Sequence, residues 1–171
     1  MKKISTIIAL LTILSLTGCV PEAEDLQTSV LNSQLYEVVR VVDGDTVVVD
    51  INGKDESLRL IGIDTPETVH PSKPVECFGI EASDKAKQTL NGQKVYLETD
   101  STQAERDKYN RLLMYIILQD GTNFNKMMIR EGYAFEYTYG SNPYKYQTEF
   151  QYAQKQAEHD EIGLWSGDAC E

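Results

Sequence analysis

Three short stretches hold the residue types able to do chemistry: VVDGDTVVVD at 41–50, RLIGIDTPET at 59–68 and ERDKYNRLL at 105–113. Asp45, Asp64 and Glu67 are hard oxygen donors of the kind that take Ca²⁺ or Mg²⁺. Arg59 and Arg111 carry planar forks that match phosphate oxygens two at a time. Metal-binding carboxylates beside phosphate-binding guanidinium groups point to metal-assisted hydrolysis of a phosphodiester. Asp-Gly and Thr-Pro are ordinary turn dipeptides, so Asp45 or Asp64 alone would pass for turn and cap chemistry. The two arginines change that reading. Arg59 in particular lies within an apolar strand, where an unpaired guanidinium is costly, and it therefore demands a partner.

These residues need a frame that brings distant segments together. Leu35–Val42 and Thr46–Ile51 are rich in β-branched residues, and Asn52-Gly53 before the alternating ESLRLIGI is a type I′ hairpin signal. A two-residue loop sets Thr46 opposite Arg59 and Asp45 opposite Leu60. In a regular pleat Asp45 and Arg59 would face opposite sides, so a shared site requires Asp45 at a strand end or beside a bulge at Asp43-Gly44. Helical spacing is expected over Glu76–Leu90, stopped by Asn91-Gly92, over Thr122–Arg130 with Gly132 beyond it, and over Tyr146–Glu158. Lys94–Glu98 and Arg111–Leu118 read as strands. Five strands with helices between and after them suggest a small closed barrel of the α+β class.

Taken together, the three stretches in this order and spacing resemble the staphylococcal nuclease (thermonuclease) family, and the resemblance runs from about Leu35 to the GLWS at 163–166. It implies an OB-fold: a five-stranded β-barrel with three helices. It further implies that Asp45, Asp64 and the Thr65 main-chain carbonyl are calcium ligands, with Asp43 supporting them. Arg59 and Arg111 would clamp the scissile phosphate, and Glu67 would either take a proton from the attacking water or orient a metal-bound water. Lys73, Lys108 and Tyr109 match positions near the nucleotide, and Tyr137 and Tyr139 match two tyrosines that contact sugar and base. Counting back from GLWS would instead put Thr138 and Gly140 at those two places. Core packing is the alternative role for Tyr137, and it is the expectation for Tyr133, Tyr144 and Tyr152. Arg106, Arg130, His70 and His159 are assigned to the surface. The implied activity is cleavage of DNA and RNA by a monomer with little sequence preference, leaving 3′-phosphorylated products. Nuclease-like domains that only bind their partners typically lack part of the set Asp45, Arg59, Asp64, Glu67 and Arg111, and all five are present.

The N-terminal segment carries an address. Lys2 and Lys3 precede an apolar run, Ile4–Leu16, that is shorter than a membrane span, and Leu16-Thr17-Gly18-Cys19 resembles a bacterial lipobox. Residues 1–18 then form a lipoprotein signal peptide, Cys19 carries lipid, residues 19–34 are a flexible tether, and 35–171 are the globular domain. The enzyme would be exported and anchored to the bacterial cell membrane, facing away from the cytoplasm. A soluble secreted form or an uncleaved anchor is the alternative. An exported location permits a disulfide between Cys77 and Cys170, against two independent thiols.

Composition pulls the other way on substrate. The formal charge is −11, and loss of Lys2 and Lys3 with the signal would take it to −13. An acidic body repels a polyanion, so the cationic site must prevail locally, with a weaker grip on long polymers. The sequence has no Walker loop, zinc-spaced Cys/His set or nucleophile elbow.

Overall fold

The hairpin register is realised: Thr46–Ile51 (β2) pairs antiparallel with Lys54–Leu60 (β3), with Thr46 opposite Arg59. Asn52 and Gly53 both take positive φ, as the type I′ turn requires. The computed structural model describes residues 34–68 and 74–170. Lys73, His70, the signal segment, Cys19 and all of the tether except Gln34 lie outside them.

Tyr36–Asp43 (β1) pairs with β2 through two register irregularities, the second between Val41 and Asp43. The strand therefore ends one residue before Gly44-Asp45, which puts Asp45 at a turn rather than within a pleat. Lys94–Glu98 (β5) and Leu112–Ile117 (β6) complete a closed barrel in the order β1-β2-β3-β6-β5, with β3 and β6 parallel. Ile63–Asp64 (β4) and Phe135–Glu136 (β7) form a separate two-stranded ladder beside the barrel, pairing Asp64 with Phe135. Strands of two residues carry no periodicity, and the sequence gives no sign of them.

Helix α1 spans Gly79–Leu90, α2 Phe124–Arg130 and α3 Gln147–His159. The first two start later than their apolar spacing suggests. At α1 the cause is Phe78, which takes a left-handed backbone at φ 65°. At α2 it is Asn123, whose side chain accepts from the Lys126 N–H and fixes the N-terminus. Val47, Val49, Leu58, Leu60, Tyr115, Ile116, Phe124, Met128 and Phe150 are fully buried between barrel and helices. Buried Asn125 spans the barrel end, donating to the Ile61 carbonyl at 2.9 Å and accepting from the Ile116 N–H at 3.2 Å.

Tyr144 is core, as expected, and Tyr133 packs against it. Tyr152 is 63% exposed, against the expectation. The buried face of α3 is Phe150, Ala153 and Ala157, a helical spacing that leaves Tyr152 on the other side. After α2 the chain folds back so tightly that a Cβ on Gly132 would lie 2.3 Å from the Ile162 carbonyl oxygen, and one on Gly163 would lie 2.3 Å from that of Gly132. The Leu164 N–H donates to the Gly132 carbonyl at 2.8 Å.

Candidate active site

The site grows from the end of the β2–β3 hairpin. Arg59 leaves β3 with its guanidinium folded over the following turn, where Nη1 donates to the carbonyls of Leu60 at 2.8 Å and Ile63 at 2.7 Å. Two main-chain acceptors thus fix the plane of the fork. Its Nη2 then meets two carboxylates, Asp64 Oδ1 at 2.7 Å and Asp45 Oδ2 at 3.1 Å. This is the partner that a guanidinium in an apolar strand required.

Asp45 is held from both sides. Its Oδ1 accepts from the Thr46 hydroxyl at 2.9 Å, and its Oδ2 accepts from the Thr65 N–H at 3.3 Å. A Cβ on Gly44 would come within 2.7 Å of the Thr65 side chain, so only glycine lets the two turns close. Asp43, buried, receives the Gly44 N–H and the Thr68 hydroxyl, both at 2.9 Å. It thereby ties the Asp45 turn to the segment carrying Glu67. Burial lifts the Asp43 carboxyl above its ordinary range, against those hydrogen bonds. Burial lifts Asp64 too; Arg59 opposes it, and the negative charges of Asp45 and Glu76 add to it.

Arg111 enters from the far side, just before β6. Asp107 Oδ2 accepts from its Nε and its Nη2, both at 2.7 Å, and Asp107 Oδ1 accepts from the N–H groups of Tyr109 and Arg111 at 2.9 Å. Arg111 Nη1 reaches the Thr46 hydroxyl oxygen at 3.3 Å. Because that hydroxyl donates to Asp45, Thr46 joins the two arginines of the site through one oxygen. Thr46 and Asp107 were not singled out from sequence. The signals were there: Thr46 lies opposite Arg59, and Asp107 stands four residues before Arg111.

A cavity of about 620 Å³ opens over this network. Arg59, Asp64 and Arg111 line its base, and Tyr109, Tyr137, Tyr139 and Lys108 line its walls. Tyr109 and Tyr139 are each 68% exposed, and the Tyr137 and Tyr139 rings are 6.5 Å apart. Thr138, the alternative to Tyr137, bonds instead to Glu136 and Gln147, while Gly140 shares the wall with the two tyrosines. Lys108 and Arg111 both lie over the Tyr109 ring, 4.9 and 5.4 Å from its centre. Arg106, expected at the surface, has a side chain 30% exposed and is pinned there by Glu56 at 3.0 Å and the Asn110 carbonyl at 2.8 Å, where it also lines the cavity. Asn110 at φ 66° folds the 106–112 segment back on itself, which residue type alone does not reveal.

Glu67 is not gathered with the two aspartates into a three-carboxylate nest. Among the described residues no three acidic, His or Cys side chains come together as a metal site. The main chain of Glu67 is bound instead to Glu76. Cys77 and Cys170 form a disulfide, with Cα atoms 5.6 Å apart.

Similarity to known proteins agrees with this architecture. The family model described as "Staphylococcal nuclease homologue" matches residues 57–167. The chain is 43% identical over 172 residues to the thermonuclease of Staphylococcus hyicus, covering 97% of this chain and 99% of that one. It is 42% identical to the thermonuclease of Staphylococcus intermedius, over 79% and 78% of the two chains. Identity to the endonuclease YncB of Bacillus subtilis is 38%, over 74% of this chain and 59% of that one. With barrel, arginine pair and matched span in agreement, this chain belongs to the staphylococcal nuclease family.

Proposed function

We propose that this chain is a calcium-dependent nuclease that cuts DNA and RNA with little sequence preference and leaves 3′-phosphorylated products. The observation that carries the reading is one bonded network, Asp64–Arg59–Asp45–Thr46–Arg111, three of whose members, Arg59, Asp64 and Arg111, line a cavity together with tyrosines. Relatives named thermonuclease, aligned over most of the chain, support it.

Asp45, Asp64 and the Thr65 carbonyl would hold the calcium ion. Hard oxygens and two facing carboxylates suit it, and the buried Thr65 hydroxyl, which has no hydrogen-bond partner among the described residues, could take a water from its hydration shell. Bound there, calcium supplies a Lewis acid that polarises the phosphoryl oxygen. The remaining steps belong to side chains. Arg59, anchored through Nη1, keeps Nη2 as the part that can transfer from carboxylate to phosphate. Arg111 presents its outer nitrogens beside it, and together they stabilise the charge gathered at phosphorus in the transition state. Glu67 takes the proton of the attacking water or orients that water. Tyr109 and Lys108 bind a neighbouring phosphate, and Tyr137 and Tyr139 stack on the sugar and base. Stacking tolerates any base, which accounts for low specificity.

The test is a plasmid and single-stranded DNA assay with EGTA and added metals. EGTA abolishes cleavage and Ca²⁺ restores it; full activity in EGTA would remove the calcium mechanism. We further propose, from Lys2, Lys3 and the Leu16–Cys19 motif, that the enzyme works tethered outside the cytoplasm by lipid on Cys19. A labelled fatty acid should enter the wild type and not Cys19→Ser, and absence of label from both defeats this address.

A further inference from the structure

The segment carrying Glu67 rests on the start of α1, and this seat is built by residues outside the network above. The Glu76 N–H donates to the Glu67 carbonyl at 2.9 Å, and the Glu67 N–H donates back to Glu76 Oε2 at 3.1 Å. Three residues on, a Cβ on Gly79 would lie 3.1 Å from the carbonyl oxygens of both Pro66 and Glu67, so the helix start touches this backbone directly. Between them are Cys77, bonded to Cys170, and Phe78, a bulky residue in the left-handed region at φ 65°. Such a backbone persists only where its surroundings enforce it. The enforcing contacts are the disulfide on one side and the Phe78–Tyr133 ring contact, 5.7 Å between centres, on the other.

We propose that Glu76 is a positioning residue for Glu67, and that the Cys77–Cys170 disulfide holds it in place, so that turnover depends on the oxidised state of the chain. This inference rests on the reading of Glu67 as base or water-orienting group. The Asp43–Thr68 hydrogen bonds hold the segment from its other end but do not reach the Glu67 N–H. Opening the cystine releases residue 77 from the tail and lets Phe78 relax, and the acceptor at Glu76 moves with it. In chemical terms, a dithiol attacks the disulfide, transfers two electrons to give two cysteine thiols, and is itself oxidised to its cyclic disulfide. The reaction at phosphorus is unchanged. Only the placement of its proton acceptor alters, and small misplacement of a catalytic group is expensive in rate.

The experiment measures kcat and KM on single-stranded DNA for the full exported chain with calcium, oxidised, and after mild dithiol reduction and alkylation, well below the melting temperature of the reduced form. Reduction should lower kcat by roughly 10–10²-fold while KM stays within about twofold. In a Glu67→Gln background, reduction should leave the residual rate unchanged. Unchanged kcat with a lower melting temperature, or a rise in KM alone, overturns the proposal by making the disulfide merely structural. A second pair of variants keeps the disulfide intact. Glu76→Gln retains a carbonyl oxygen for the Glu67 N–H and should keep kcat near wild type, whereas Glu76→Ala should lose it to a similar degree as reduction. Equal rates in the two variants overturn the proposal. Full turnover by oxidised Glu67→Gln would instead defeat the role given to Glu67, a result separable from both.

Discussion

The two ends of the cavity are built by different means. At the arginine end, Arg59 comes off a barrel strand, has its fork fixed by two main-chain carbonyls, and meets Asp45 in the turn before β2 and Asp64 in the short strand β4. At the tyrosine end, proposed here for recognition, Tyr109, Tyr137 and Tyr139 sit on a turn, an irregular stretch and a short 3-10 helix, and all three are exposed. Ladder register and backbone acceptors suit groups that must be held in one geometry, while exposed rings on irregular segments suit contacts that must adapt, as the proposed roles require. If that contrast is right, changes at the arginine end should act on kcat and changes at the tyrosine end on KM.

The largest expected effect is at Glu67. Glu67→Gln keeps shape and removes the proton acceptor, so kcat should fall by roughly 10²–10⁴-fold with the fold intact by circular dichroism. A folded variant with near-normal kcat would exclude Glu67 as base. Next comes Arg59→Lys, which replaces a fixed fork by a mobile point charge. Loss of kcat by roughly 10²-fold with little change in melting temperature is expected. Melting temperature falling in proportion to activity would show the arginine to be structural, and the contrast would dissolve.

Smaller effects should appear across the cavity. Tyr139→Ala and Tyr137→Ala should each raise KM about tenfold and spare kcat, since one base-stacking contact is worth about 1–3 kcal/mol. A fall in kcat with constant KM would place these rings in the chemistry instead. The smallest effect concerns Asp100, which accepts from the Thr102 N–H at 2.9 Å, the Lys145 N–H at 2.7 Å and the Tyr115 hydroxyl at 2.8 Å, and so braces the turns behind the recognition wall. Burial would raise its carboxyl, but these hydrogen bonds and that of the Thr102 hydroxyl outweigh it and hold it below the ordinary range. A depressed folded value means the stabilisation is complete above the unfolded value near 4 and disappears as pH falls through the folded one. Melting temperature below about pH 4 should therefore drop more steeply, by a few degrees, in the wild type than in Asp100→Asn. Parallel curves would remove this brace.

The same contrast describes what the sequence revealed. Thr46 against Arg59 followed from a two-residue turn, and Lys94–Glu98 is the observed β5, because period-two patterning and turn chemistry are local. The demand that Asp45 leave the pleat was also local, and the strand does end at Asp43. Features set by tertiary contact were not legible. The β4–β7 ladder is too short to carry a pattern, Phe78 is held left-handed by distant partners, and Arg106 is pinned beside the cavity by Glu56 and the Asn110 carbonyl. Tyr152 was misjudged for the opposite reason: its type suggested burial, while the phase of α3 left it outside.

The Gly132–Gly163 contact has a meaning in time as well as in space. Two backbones that touch where no side chain fits cannot be replaced by a looser substitute, and residue 163 is made long after β1–β6 and α2 have been synthesised. Until it arrives, the turn after α2 lacks the chain that covers it, and β7, which pairs with Asp64, follows that turn directly. The Asp64 side of the network therefore gains its last support late in synthesis, and a chain cut short before Gly163 carries Asp45 and Asp64 without that closure.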